Sequence, residues 1–289
     1  MNLLVDAGNT RIKFGWCCAA NPTSTIPNLA VLPDQLNELP ALLTQAGAPL
    51  SYWKSQPAKI HAIGVNVAGG AIQRRLEQAI AALGFTHIEW LSSQESRYGL
   101  RNRYAVASQL GTDRWVALLG LHAHTLSDNT LSSQPLILAS FGTATTVDTL
   151  SPQNQQKERE FPGGLILPGP SLMLQSLHQS TAQLPLAGGP SLAYPQDTLS
   201  AISSGVAASQ VGAVLRQWHQ GLLHYGRAPS VYLSGGGLDL IYPELQQALQ
   251  QAYQQLGLRS TSATLLPVPV LQGMAYILSL HKLSLAPRT

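Results

Sequence analysis

Leu3-Leu4-Val5-Asp6-Ala7-Gly8-Asn9-Thr10-Arg11-Ile12-Lys13-Phe14-Gly15-Trp16 opens the chain with a short apolar run, a Gly-Asn turn signal and a second, alternating run. Such a stretch reads as strand, turn and strand, a β-hairpin. The pattern returns at Pro135 to Ala139 and Thr145 to Leu150, two strand candidates joined by Ser140-Phe141-Gly142-Thr143. Gly163 to Gly169 reads as a third strand of that half, and Ser230 to Leu233 as a further strand running into Gly235-Gly236-Gly237. In the first half, residues 59–67 and 87–91 carry the branched and apolar character of strands. Helical spacing is expected at 32–46 after Pro33, at 71–83 up to Gly84, and at 105–122, where Gly111 interrupts a mostly buried run. It is expected again at 170–180 behind Pro170, at 199–219, and at 246–255, where Gln and Ala favour a solvated helix. Helices between strands make the class α/β, and a hairpin-plus-helix unit that occurs twice makes it a duplication. The expected organisation is two domains, 1–112 and 113–289, with a nucleotide cleft between them.

Composition leaves room for such a fold and closes other classes. With 289 residues, 45% of them hydrophobic, the chain can bury a substantial core, and 17 Lys+Arg against 14 Asp+Glu come without a basic block. Nucleic acid is therefore not an expected partner. Leu3 to Val5 is too short for a spanning helix or a secretory core and is followed at once by Asp6, so no membrane association and a cytoplasmic location are expected. Cys17 and Cys18 are adjacent, with no His or Cys at metal-ligand spacing, and read as small core or edge residues. His122 and His124, two apart on a helix, face different ways and do not suggest a shared metal.

The chemistry gathers at the turns. In Asp6-Ala7-Gly8-Asn9-Thr10 a glycine lets the backbone take a conformation closed to other residues and approach a ligand, Asn9 and Thr10 offer donors to phosphate oxygens, and Asp6 at the strand end can hold hydrated Mg2+ beside them. The same residues also read as a plain hairpin turn. Gly142-Thr143-Ala144-Thr145-Thr146 offers small residues and hydroxyls in the matching turn of the second half. Ser234-Gly235-Gly236-Gly237, at a strand end, leaves room for adenine or ribose against the backbone. Within the apolar 105–122 run, Asp113 and Arg114 would be costly if unpaired. They read either as a structural ion pair or as an active-site acid with its cation, and Gly111 beside them favours the latter. A carboxylate there, ionised at neutral pH, can accept the proton of a substrate hydroxyl. Thr181, just past a helix end, reads equally as a C-terminal turn residue or a ligand hydroxyl.

Taken in order, these motifs resemble the type III pantothenate kinases of the acetate/sugar kinase superfamily. The residues that carry the resemblance are Asp6-Ala7-Gly8-Asn9-Thr10-Arg11-x-Lys13, Tyr104, Leu110-Gly111-Thr112-Asp113-Arg114, Phe141-Gly142-Thr143-Ala144-x-Thr146-x-Asp148, Gly163-Gly164-x-Ile166-x-Pro168-Gly169 and Thr181-Ala182-x-Leu184-Pro185. The resemblance implies a duplicated actin-like, ribonuclease H-like ATPase fold and ATP-dependent phosphorylation of pantothenate to 4′-phosphopantothenate, the first step of coenzyme A synthesis. It further implies that Asp6, Ala7, Gly8, Asn9, Thr10, Arg11, Ile12, Lys13 and Thr143 surround ATP, with Mg2+ near Asp6. Asp113 would be the base, and Tyr104, Gly111, Thr112, Asp113, Arg114 and Thr181 would hold pantothenate. A homodimer is implied, with Thr181 as the contact borrowed from the neighbouring copy. Many members place an aspartate that binds K+ or NH4+ where this chain has Ser140, a ligand that cannot neutralise the ion, which puts that requirement in question. Ala107 or Ser108 also stands where a proline is common. Two other readings share the fold: a kinase of the superfamily acting on another alcohol or acid, and a non-catalytic nucleotide-binding regulator.

Overall fold

A computed structural model of the chain describes residues 1–18, 25–56, 60–181, 184–186 and 188–285, the last of these up to residue 281 where side chains are concerned. It comprises two compact units, one of Met1–Ser127 with Val268–Thr289 and the other Asp128–Pro267. The units divide the chain differently from a boundary at 112/113: residues 113–127 belong to the first unit, and the last helix returns to it.

The first unit holds a five-stranded sheet built from β1 (Asn2–Ala7), β2 (Ile12–Cys17), β3 (Asn28–Val31), β4 (Ala62–Asn66) and β5 (Ile88–Trp90), in the order β3-β2-β1-β4-β5. β1 and β2 are antiparallel, whereas β4 runs parallel to β1 and to β5. Period-two alternation sends Leu3, Val5 and Ala7 with Ile12, Phe14 and Trp16 to one face. There they form a core with Leu39 and Leu43 of α1 (Leu39–Gln45), Trp53 of α2 (Leu50–Ser55) and Leu76 and Ile80 of α3 (Gly70–Ala81). Asp6 and Lys13, paired across the strands, project from the opposite face. β6 (Ser96–Arg97) and β7 (Leu100–Asn102) form a small antiparallel hairpin. Its turn places Tyr98 and Gly99 at φ 58° and 79°.

The opposite face of the sheet receives α4 (Thr112–Thr125) and, from the chain's end, α9 (Pro269–Leu285). These two helices meet backbone to backbone. A side chain on Gly273 would strike the Val116 carbonyl, and one on Gly120 the Pro269 carbonyl. On β2, a side chain at Gly15 would stand 2.9 Å from Leu271 of α9.

The second unit repeats the plan. After α5 (Asn129–Ser132) come β8 (Leu136–Phe141), β9 (Ala144–Leu150), β10 (Arg159–Phe161), β11 (Gly163–Pro168), β12 (Ser230–Ser234) and β13 (Thr264–Leu265). The five-stranded sheet has the order β11-β9-β8-β12-β13, with β8 antiparallel to β9 and parallel to β12. Numbered within each five-stranded sheet, both orders are therefore third, second, first, fourth, fifth. α6 (Pro170–Ser180), α7 (Thr198–Tyr225) and α8 (Tyr242–Gln255) complete the unit. α7 starts where Asp197 accepts the Ser200 N–H at 2.9 Å and ends on Gly226 at φ 68°. It is long and apolar enough to cross a membrane, yet Ala207, Val211, Val214 and Trp218 pack against Ile137, Val147 and Leu249 as core.

Several elements differ from the sequence expectation. The 32–46 helix is a 3-10 turn, Pro33–Glu38, followed by α1, with Pro40 in the first turn of α1. The strand expected at 59–67 shortens to β4, and Lys59 lies outside the described residues. The expected helix 105–122 does not include 105–111. That stretch is a loop with a 3-10 turn at Ala107–Gln109, and Gly111 is the N-cap of α4 rather than a break within it. The buried Asn102 holds this loop: Oδ1 accepts the Tyr104 N–H at 3.0 Å and Nδ2 donates to the Ala107 carbonyl at 3.1 Å. Side-chain bonds of this kind compete with helix formation. Helix α9 had no counterpart in the sequence reading.

Candidate active site

The first turn is built by the β1–β2 hairpin. Ala7 and Ile12 are the last ladder pair, and the Gly8 N–H donates to the Arg11 carbonyl at 3.2 Å. Gly8 lies outside the positive-φ region, which corrects the expectation of a backbone closed to other residues; the pressure for glycine is the Arg11 carbonyl, 3.0 Å from where a Cβ would stand. Asn9, Thr10 and Arg11 are exposed at the tip, while Ala7 and Ile12 are buried below it.

Asp6 stands under that tip. Burial pushes its carboxyl up to about 6, Lys13 across the ladder pulls it down, and Asp113 pushes it up further. Lys13 on β2 and Asp113 on α4 thus both act on Asp6 at the mouth of the hairpin. Among the described residues no three His, Cys, Asp or Glu cluster as a metal cage. A pair of mutually repelling carboxylates fits Mg2+, which keeps most of its waters and takes one or two carboxylates plus substrate phosphates.

Asp113 reaches this place because α4 starts where it does. It lies in the first helical turn, where the macrodipole favours a carboxylate. Its Oδ1 accepts the Arg114 N–H at 2.8 Å. A side chain on Gly111 would come within 2.7 Å of that oxygen, so glycine at the cap leaves the carboxylate its position. Arg114, buried, donates from Nη1 to the Tyr104 hydroxyl at 3.2 Å with its guanidinium 5.9 Å from the ring centre. The structure therefore brings Tyr104 to Arg114 and Asp113 to Asp6. Ser93 steadies the loop end by donating to the Leu110 carbonyl at 2.6 Å. Neither Asn102 nor Ser93 was singled out from the sequence. Asn102 stood two residues before Tyr104, and only the fold shows what it holds.

In the second unit the β8–β9 turn exposes Gly142, Thr143 and Ala144, with the Gly142 N–H bonded to the Ala144 carbonyl at 3.1 Å. The glycine run packs directly on it: Gly235, at φ 100°, sits against the Phe141 backbone, and the Gly237 N–H donates to the Phe141 carbonyl at 3.0 Å. Gly235 is thus required by the chain's own close approach. Ser140 registers with Thr146 and with Ser234, whose hydroxyl donates to the Pro267 carbonyl at 3.3 Å. Thr181 is the C-cap of α6; its hydroxyl donates to the Leu177 carbonyl at 2.7 Å and accepts the Leu184 N–H at 3.3 Å. It serves as a turn residue, away from the β8–β9 turn in sequence. Ala182 of the same motif lies outside the described residues. Of the cysteines, Cys17 is buried and Cys18 exposed, and neither is part of a disulfide among the described residues.

Two sheets of identical order, each with a small-residue turn between its first two strands, define a duplicated actin-like ATPase fold. The solved structure of a Baf family protein from Campylobacter jejuni agrees in fold, with a TM-score of 0.52 over 97% of this chain and 98% of its own at 18% identity. Residues 2–220 match the family model described as type III pantothenate kinase. Type III pantothenate kinases of Bordetella bronchiseptica and Bordetella pertussis are each 42% identical over 95% of this chain and 96% of their own. That of Aromatoleum aromaticum is 35% identical over 86% and 90%. The chain belongs to the type III pantothenate kinase family, and it is accordingly an ATP:pantothenate phosphotransferase of coenzyme A biosynthesis.

Proposed function

We propose that Asp113 is the base of this phosphoryl transfer and that the β1–β2 turn is the phosphate end of the ATP site. The observation that carries this reading is the electrostatic meeting of Asp6, Lys13 and Asp113 at one hairpin mouth. Asn9, Thr10 and the turn amides serve the phosphate oxygens, with Lys13 supplying positive charge beside them, and Thr143 is a further ATP contact. Asp6 would hold hydrated Mg2+, which when bound would neutralise phosphate charge. Phosphoryl transfer demands mainly positioning and charge stabilisation. The pantothenate hydroxyl oxygen forms the new bond to the γ-phosphorus as the bond to the ADP oxygen breaks, and the hydroxyl proton passes to Asp113. Arg114, oriented by Tyr104, suits the pantothenate carboxylate, since a guanidinium pairs with a planar anion.

The enzyme acts in the cytoplasm as a homodimer. Support comes from apolar side chains exposed along one edge of the second unit, Ile166 on edge strand β11 at 64% and Leu172 and Leu177 on α6 at 42% and 37%. Thr181, at the end of that helix, is then the contact given to the neighbouring copy. Ser140 leaves the enzyme without the carboxylate that neutralises a monovalent cation, so its turnover is indifferent to the choice of Na+, K+ or NH4+. The test of the central reading is Asp113→Asn, expected to abolish turnover while leaving ATP binding within a few-fold of wild type. Wild-type turnover in this variant would remove Asp113 from the mechanism.

A further inference from the structure

Gln210 is a buried polar residue of α7 that the reaction as described does not use. Its side chain is 0% exposed, in a helix whose Ala207, Val211 and Val214 are core. Nε2 donates to the Pro168 carbonyl at 2.9 Å and lies 3.0 Å from Met173 Sδ, while Oε1 is buried with no hydrogen-bond partner. Turning the amide over would set Oε1 against the Pro168 carbonyl, acceptor against acceptor. An acceptor left dry is destabilising, a penalty that methionine, of similar length, would not carry. The use of this amide lies in what its N–H holds.

What it holds is the frame of the second phosphate turn. Pro168 ends β11 and registers with Ala144. The next residue, Gly169, donates its N–H to the Thr143 carbonyl at 2.9 Å and lies so close to the Gly142 carbonyl that no side chain fits. Met173, in the first turn of α6, donates its N–H to the Gly169 carbonyl at 2.9 Å. One amide of α7 therefore ties together the end of β11 and the start of α6, directly behind Gly142-Thr143. We propose that Gln210 is a positioning residue for ATP: it fixes where Thr143 stands without touching the nucleotide. This rests on the reading of Thr143 as an ATP contact.

The test compares Gln210→Met, Met173→Leu and Thr143→Ala in the full chain by steady-state kinetics and melting. Gln210→Met is expected to melt close to wild type and to raise KM for ATP about tenfold, as misplacement of a binding group does, with KM for pantothenate unmoved. Met173→Leu keeps the Pro168 bond and should keep the wild-type KM for ATP. A stable Gln210→Met with unchanged KM for ATP overturns the proposal, as does an equal loss in Met173→Leu, which would make packing the cause. If Thr143→Ala leaves KM for ATP untouched, the reading of Thr143 falls instead. Hydrogen exchange of 141–146 then decides on positioning: faster exchange in Gln210→Met supports it and unchanged exchange overturns it. Should Gln210→Met fail to fold, the wild-type chain is exchanged with and without a non-hydrolysable ATP analogue. Protection of 167–173 together with 141–146 supports the coupling, and protection of 141–146 alone overturns it.

Discussion

Asp6→Asn should abolish turnover and at the same time stabilise the ligand-free protein at neutral pH. Burial, the largest cause, raises the Asp6 carboxyl from 3.8 to about 6. Between these values the folded state keeps a proton that the unfolded chain has released, so stability attributable to this group falls as pH rises from about 4 to about 6 and is flat above. At 1.36 kcal/mol per unit the cost of the ionised carboxylate is on the order of 3 kcal/mol. That figure already contains the attraction of Lys13, and asparagine stands in for the uncharged form, so a gain of up to about 3 kcal/mol is expected, or ~6–9 °C in Tm for a chain of this size. The assay is thermal melting of both proteins, without nucleotide, from pH 4 to 8. The difference in Tm, variant minus wild type, should rise through pH 4 to 6 and then level. A difference that does not change across that interval would show that Asp6 is not held at the expense of stability. Adding Mg2+ and ATP should reverse the order, because only the wild type binds them through the carboxylate.

Gly111→Ala should melt near wild type, since the group it displaces is the mobile Asp113 carboxylate, while kcat falls roughly 10- to 100-fold by misplacement; an unchanged kcat would detach Gly111 from the base. Gly273→Ala forces α9 away from the Val116 carbonyl and should cost about 3 kcal/mol, read as a lowered urea midpoint. Arg159, 0% exposed, donates to the carbonyls of Gln134, Ser151 and Leu131, and burial lowers its pKa to about 10. Arg159→Met leaves those carbonyls without the donor and should destabilise by about 3 kcal/mol or more in chemical denaturation. Replacing K+ by Na+ should leave the wild-type rate unchanged, whereas Ser140→Asp should make it depend on the cation.

The legible part of this protein lies in its turns. Gly-Asn between two apolar runs, and the Gly142-Thr143 turn in the same setting, announce hairpins because turn chemistry is set by neighbours in sequence. The family motifs sit on those turns and were legible with them. Asp113 was legible as a charged residue out of place in an apolar run, but its setting was not. Periodicity carried the expected helix back to residue 105, whereas the side chain of Asn102 claims the Tyr104 N–H and the Ala107 carbonyl and keeps that stretch out of the helix. The boundary at 112/113 followed chain order, and α9 crosses back over it because Gly120 and Gly273 let two backbones touch.

The sequence by itself determined the duplicated α/β plan, the two small-residue hairpin turns and the family, since each depends on short stretches whose hydrophobic period and turn residues act locally. Only the tertiary structure decided that Gly111 caps the helix carrying Asp113, that Asp113 and Lys13 act on a desolvated Asp6, and that Gln210 stands behind the Thr143 turn. Desolvation and close approach arise between residues far apart in the chain, and no local pattern encodes how near they come.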